Sequence, residues 1–414
     1  MERVFAEYYI ETPYDVEHAA AVLAGEQSSG TFVSVPGETE ELKKRFAAKV
    51  EHIEKLDVVE EPSIPGSVIP GKKYQRANIK VSWSIENFGF NLPVLLSTLQ
   101  GNLYEISQFT GLKLMDLELP DGFKNYYKGP QFGIKGSKKS CGVDSERPMI
   151  GTIIKPSIGM SPEETAALVQ TLIDAGIDFI KDDELMGSTA NSPFDERVKA
   201  IMKVIRKNEQ KTGKKVMYAF NISDEIDEMQ RKYDLILKEE GSCAMVSINS
   251  VGLAGTKKIC DKGELVIHGH RNGWGMLNRH PLLGIEFPAY QKIQRLAGVD
   301  QLHVNGIQNK FWESDDSVVT SIKSCLKPFI GNDGILPVVS SGQWGGQAFE
   351  TYRRTQTTDL LYMAGGGILA HPMGPKGGVK ALQQAWEGAV NGKSIEETAK
   401  NHKEFAASVK KFSK

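Results

Sequence analysis

Residues 149–184 read MIGTIIKPSIGMSPEETAALVQTLIDAGIDFIKDDE. An apolar run of strand type, MIGTII, is followed by a stretch opening on Ser161-Pro162 whose apolar residues recur at helical spacing. A second apolar run, IDFI, then closes on Lys181, Asp182, Asp183 and Glu184. This is one strand–helix–strand unit. The rhythm continues through KVMYAFNIS (215–223), CAMVSINS (243–250), ELVIHGHR (264–271), DQLHVNG (300–306), ILPVVSSG (335–342) and DLLYMAGGG (359–367). Helical stretches such as FDERVKAIMKVIRKNEQKTG (194–213) and FPAYQKIQRLAG (287–298) separate these strands. Eight strand–helix units predict a (β/α)8 barrel over residues 141–414, with terminal helices, rather than a doubly wound sheet.

Upstream the alternation is irregular. RVFAEYYI (3–10), AAKVEHIEKLDVV (47–59), RANIKVSWSI (76–85) and LKLMDLELP (112–120) read as strands, and DVEHAAAVLAG (15–25) and NLPVLLSTLQ (91–100) as helices. That pattern predicts a smaller α+β domain, ferredoxin-like, over residues 1–140. The Gly/Lys/Ser-rich stretch GIKGSKKSCGVDSERP (133–148) marks the boundary.

Composition excludes several classes of function. The chain has 414 residues, 40% hydrophobic and 25% charged, with 50 basic and 52 acidic residues and a net charge of −2. No basic arm or patch advertises a nucleic-acid partner. No apolar run has membrane-spanning length, and a start charged from Glu2 does not read as a signal peptide. Cys141, Cys243, Cys260 and Cys325 are scattered without CxxC spacing, which suits buried thiols in a reducing cytoplasm better than disulfides or zinc.

Barrel chemistry sits at the C-terminal ends of the strands, and here those ends are polar. In order they carry Lys155; Lys181 to Glu184; Asn221; Asn249; His268, His270 and Arg271; His303 and Asn305; Ser340, Ser341 and Gly342; and Gly365 to Gly367. A single polar end is an ordinary cap, but eight converging on one mouth indicate a site. Asp183 and Glu184 are hard oxygen ligands of the type Mg2+ prefers. The spacing leaves Lys181 two readings: a lysine whose amine has added CO2 to become an anionic carbamate ligand, or a buried ion pair without metal. The glycines after the seventh and eighth strands expose backbone N–H groups where barrels bind phosphate, with Arg271 and Lys310 near the same mouth. His371 is expected to order its own loop, and His18, His52 and His402 to be surface or packing residues.

The stretches GTIIKPSIGMS (151–161), GIDFIKDDE (176–184), IHGHR (267–271), LHVNGIQNK (302–310), PVVSSG (337–342) and AGGGILAHPMGPKGG (364–378) occur in this order. GEQSSGTF (25–32) and LQGNLYEISQFTGLKLMDLELP (99–120) precede them. Together they resemble the large subunit of RuBisCO and, within that superfamily, the RuBisCO-like proteins of form IV. The resemblance implies a carbamate on Lys181 that holds Mg2+ with Asp183 and Glu184. It implies Lys155 as the proton-moving lysine, and His270, His303 and Arg271 as substrate or phosphate contacts. Lys310 matches the lysine that holds a carboxyl group, and Ser340, Gly342, Gly365 and Gly366 match phosphate and hydroxyl contacts. Glu26, Thr31 and Asn102 match residues that complete the site of a neighbouring subunit, which implies a homodimer, alone or within a larger assembly. Ser157 and Ile153 replace a lysine and a threonine of the carboxylases, so net CO2 fixation is not expected. The resemblance therefore implies enediolate chemistry on a sugar phosphate. Removal or transfer of a carboxyl group from a 3-oxo-isoapionate 4-phosphate type of substrate stands first, because Lys310 is retained. The enolase and isomerase reactions of methionine salvage stand second, ahead of a true carboxylase or a non-catalytic sensor.

Overall fold

Strand β1 (Arg3–Thr12) alternates as its sequence demands: Val4, Ala6, Tyr8 and Ile10 are fully buried on one face. It lies at the centre of a sheet, antiparallel to β3 (Tyr74–Ser84) on one side and to β4 (Gly111–Glu118) on the other. β2 (Lys49–Val59) pairs with β3 at the edge, where its charged, exposed side chains discourage further pairing. The computed structural model describes residues 2–29, 36–143, 146–330 and 334–413.

The repeating units form the predicted barrel. β5 (Met149–Ile153), β6 (Phe179–Lys181), β7 (Met217–Asn221), β8 (Cys243–Ser247) and β9 (Val266–His270) are followed by β10 (Leu283–Ile285), β11 (Gln301–His303), β12 (Leu336–Val339) and β13 (Leu361–Met363). All but β10 close into an eight-stranded parallel barrel in the order β11-β12-β13-β5-β6-β7-β8-β9. β10 instead pairs parallel with β4 as the fifth strand of the first sheet.

The chain thus divides into Met1–Lys128 with Gly273–Leu296, and Gly129–Asn272 with Ala297–Lys414. The first division falls at residue 128 rather than near 140, because the Gly/Lys/Ser-rich stretch is not a linker. Residues Gly133–Ser140 form a helix whose Ile134 packs, with Cys141 and Val143, against the barrel interior. That interior is filled by Met149, Phe179, Met217, Met245, Val266, Leu336 and Leu361, so the barrel is a packed core and only its mouth is open to chemistry. Asp300 ties the start of this helix to the barrel by accepting from the backbone N–H groups of Phe132, Gly133 and Ile267 at 2.7, 2.9 and 2.8 Å.

Candidate active site

Lys181, the last residue of β6, points into the barrel and is wholly buried. Its Nζ donates to the Asp182 carbonyl at 2.7 Å, touches Met245 Sδ at 3.3 Å and stands 3.6 Å from Glu184 Oε2. Burial pushes its pKa down, against the opposing pull of Glu184, Asp183 and Asp182. The neutral amine is the form that adds CO2, so burial shifts Lys181 towards the reactive state.

Beyond Lys181 the next side chain turns to the opposite face. Asp182 points into the layer between barrel and helices, where it accepts from Tyr218 Oη (2.6 Å), Asn221 N (2.9 Å) and Arg197 Nη2 (3.4 Å). Asp183 and Glu184 turn to the mouth. Asp183 Oδ2 receives Lys155 Nζ at 2.6 Å, and Glu184 Oε2 lies 3.4 Å from His270 Nε2. Asn221 Nδ2 donates to the carbonyls of Glu184 and Met186, both at 3.2 Å, which fixes this turn. Among the described residues no cluster of three His, Cys, Asp or Glu side chains stands ready for a metal. Two carboxylates are present, and a carbamate on Lys181 would add the third anionic oxygen donor, so the residues fit Mg2+ in its carbamate form.

A second set continues around the ring. The His270 and His303 rings are 4.4 Å apart, and His303 Nδ1 lies 3.1 Å from Ser340 Oγ. His303 Nε2 and His268 Nε2 are 2.9 Å apart, and His268 Nδ1 is 2.9 Å from Gln301 Oε1. Gln301 Nε2 donates to Met217 Sδ at 3.5 Å, so its oxygen faces His268, which is protonated at Nδ1 and receives the Nε2 proton of His303. His303 then accepts from Ser340, leaving the serine's lone pairs for the mouth. Burial holds His268 and His303 well below the usual histidine range and His270 at about 3, so all three rings are neutral near pH 7.

The loop bearing Lys310 follows β11. Lys310 N donates to the Ser341 carbonyl at 3.2 Å, and a Cβ added at Gly342 (φ +84°) would meet Lys310 Cβ at 3.5 Å. The exposed ammonium lies over the Phe311 ring, 5.2 Å from its centre. At Gly365 and Gly366 an added Cβ would meet nothing within 4 Å. They border open space at the start of the helix Gly366–Leu369, whose first N–H groups lack partners inside the helix.

The structure therefore brings Lys155, Lys181, Asp183, Glu184, His270, His303, Ser340, Gly342 and Lys310 into one continuous set of contacts. Arg271 is placed differently: its guanidinium is buried and donates to Glu313 Oε2 at 2.8 Å. In the other unit, Glu26 ends the helix Val16–Glu26 and Asn102 lies in the turn Gly101–Glu105. These segments abut, since a Cβ on Gly101 would strike the Gln27 amide at 2.6 Å. Thr31 lies outside the described residues. Glu313, Gln301, Tyr218 and Arg197 were not singled out from sequence. Nothing in a single sequence separates them from ordinary polar residues of loops, strands and helices.

Family models for the ribulose bisphosphate carboxylase large chain match residues 2–123 (N-terminal domain) and 133–412 (catalytic domain). The chain belongs to the RuBisCO large-chain family. It is 51% identical over 409 residues to the 3-oxo-isoapionate-4-phosphate decarboxylase of Rhizobium etli, covering 98% of both chains. It is also 51% identical over 400 residues to the 3-oxo-isoapionate-4-phosphate transcarboxylase/hydrolase of Xanthobacter autotrophicus, covering 96% of both. The crystal structure of a rubisco-like protein from Burkholderia fungorum superposes with a TM-score of 0.93 at 41% identity, covering both chains fully. Lys155 Nζ also donates to Ser157 Oγ at 2.7 Å. His371 Nδ1 accepts from Met373 N within its loop, and Nε2 ties that loop to the Glu404 carbonyl of the helix Lys403–Phe412, both at 3.0 Å.

Proposed function

We propose that the protein is a Mg2+-dependent RuBisCO-like enzyme that removes or transfers the carboxyl group of 3-oxo-isoapionate 4-phosphate. The observation that carries this reading is full-length likeness, at about half identity, to two relatives named for that substrate. In a 2-hydroxy-3-oxo acid the C–C bond to the carboxylate breaks, CO2 leaves and the electron pair passes to the ketone oxygen, leaving an enediolate that takes a proton at carbon. Asp183, Glu184 and a carbamate on Lys181 would hold Mg2+, which when bound would supply an electrophile for this charge.

The chain's own groups do the remainder. Lys155, braced between Asp183 and Ser157, is placed to deliver the proton. Neutral His270 and the lone pairs of Ser340 receive substrate hydroxyls. Lys310 holds the departing carboxylate at the rim, and the N–H groups at Gly342, Gly365 and Gly366 receive the phosphate. The assembly is a homodimer in which Glu26, Thr31 and Asn102 complete the partner's site. The setting is the cytoplasm: all four cysteines are free and buried, and no helix among the described residues is long and apolar enough to cross a membrane.

Release of CO2 or bicarbonate from 3-oxo-isoapionate 4-phosphate by Mg2+- and bicarbonate-treated protein tests the reading. Lys181→Ala should lower the rate by about 10³-fold or more, because it removes a metal ligand. Full activity in that variant would refute the carbamate. No release from carbamylated wild type would return the methionine-salvage enolase and isomerase reactions to first place.

A further inference from the structure

The loop 304–314 carries a carboxylate that the reaction does not use. Glu313 has a fully buried side chain, and its Oε2 accepts from Arg271 Nη2 at 2.8 Å and from the Asn305 amide at very short range. Its Oε1 accepts from Ser317 Oγ at 3.1 Å, and its carbonyl accepts from Asn309 Nδ2 at 2.9 Å. Asn305 in turn accepts from Ser341 Oγ at 2.7 Å. Asn305 (φ 62°) and Ser341 (φ 74°) both hold left-handed backbone at this node, a conformation that is costly for serine and persists where surrounding contacts impose it. One carboxylate thus knots the chain ends after β9, β11 and β12.

The charge consequence concerns the substrate. Arg271 stands at the strand end where a cation would receive an anionic group, yet its charge is already countered by a carboxylate at ion-pair distance. A phosphate dianion brought here would face Glu313 at short range in a poorly solvated setting. On the β12–β13 side, by contrast, Gly342, Gly365 and Gly366 offer backbone N–H groups. We propose that Glu313 is a specificity-determining residue: it makes the β9–β11 side of the mouth reject a second phosphate, restricting the enzyme to monophosphorylated sugar acids. This deepens the functional reading above and rests on it for the position of the first phosphate.

Equilibrium binding to the full-length Mg2+-loaded protein tests the proposal, with ribulose 5-phosphate and ribulose 1,5-bisphosphate as probes. Wild type should bind the bisphosphate no more tightly than the monophosphate. In Glu313→Gln the bisphosphate should gain about tenfold or more, while the monophosphate changes by less than about threefold. Equal gains for both ligands, or none for the bisphosphate, would overturn the proposal. So would a wild type that prefers the bisphosphate by tenfold, an outcome that needs no variant to fold. Binding requires no turnover, so loss of the decarboxylase reading and loss of this one are separate results.

Discussion

Lys181 shows how burial converts an unfavourable residue into a useful one. A lysine inside a barrel loses hydration, its ammonium is disfavoured, and the neutral amine becomes accessible. The carboxylates of Asp183 and Glu184 then serve either to pair with the residual charge or to share a cation with the carbamate. Histidines follow the same physics. Burial keeps His268 and His303 neutral in the folded protein, whereas the unfolded chain takes up a proton at each below about pH 6.5. Stability is therefore full above that value and lost on acidification through the window beneath it, by up to about 1.4 kcal/mol per pH unit for each ring. Urea unfolding at about pH 7.5 and pH 5.5 checks this, and His303→Asn should make the fall shallower. Equal slopes in the two proteins would show that the ring does not titrate differently in the two states.

Elements with strong periodicity were legible, and those recruited by contact were not. The helix Pro162–Asp174 begins with a reciprocal pair: Ser161 Oγ accepts from Glu164 N at 3.2 Å, and Glu164 Oε2 accepts from Ser161 N at 2.8 Å. Ser161→Ala should cost about 1 kcal/mol in chemical denaturation and leave kcat near wild type, since the cap lies outside the catalytic contacts. A loss of turnover without loss of stability would mean that the loop 155–161 depends on this cap for its position. β10 had no such signature. Three residues, Leu283–Ile285, become a strand because the open edge of β4 offers them a parallel partner. Local pattern carries no record of that edge. The segment between β9 and β11 therefore reads as barrel while packing with the first sheet.

At the scale of the whole molecule, the proposed shared site makes a prediction that monomer chemistry does not. Glu26→Gln and Lys181→Ala should each be inactive alone, because each spoils every site of its own homodimer. After subunit exchange, half of an equal mixture is hybrid dimer and each hybrid holds one intact site, so about a quarter of wild-type activity should return. No recovery despite hybrids detected by mass would place Glu26 in its own subunit's site or outside it. The barrel, its eight strands and most polar strand ends could be read from the chain, since hydrophobic period and strand-end position are local properties that survive without coordinates. The alternation of side chains along the strand already turned Asp182 away from the mouth, but the same lines of text did not reveal that Tyr218 and Arg197 receive it, that Arg271 pairs with Glu313, or that His268 and Gln301 set the proton order behind Ser340. Those facts depend on which distant residues meet in a desolvated interior, where a partner a few ångströms away decides whether a charge binds substrate, braces a loop or is cancelled.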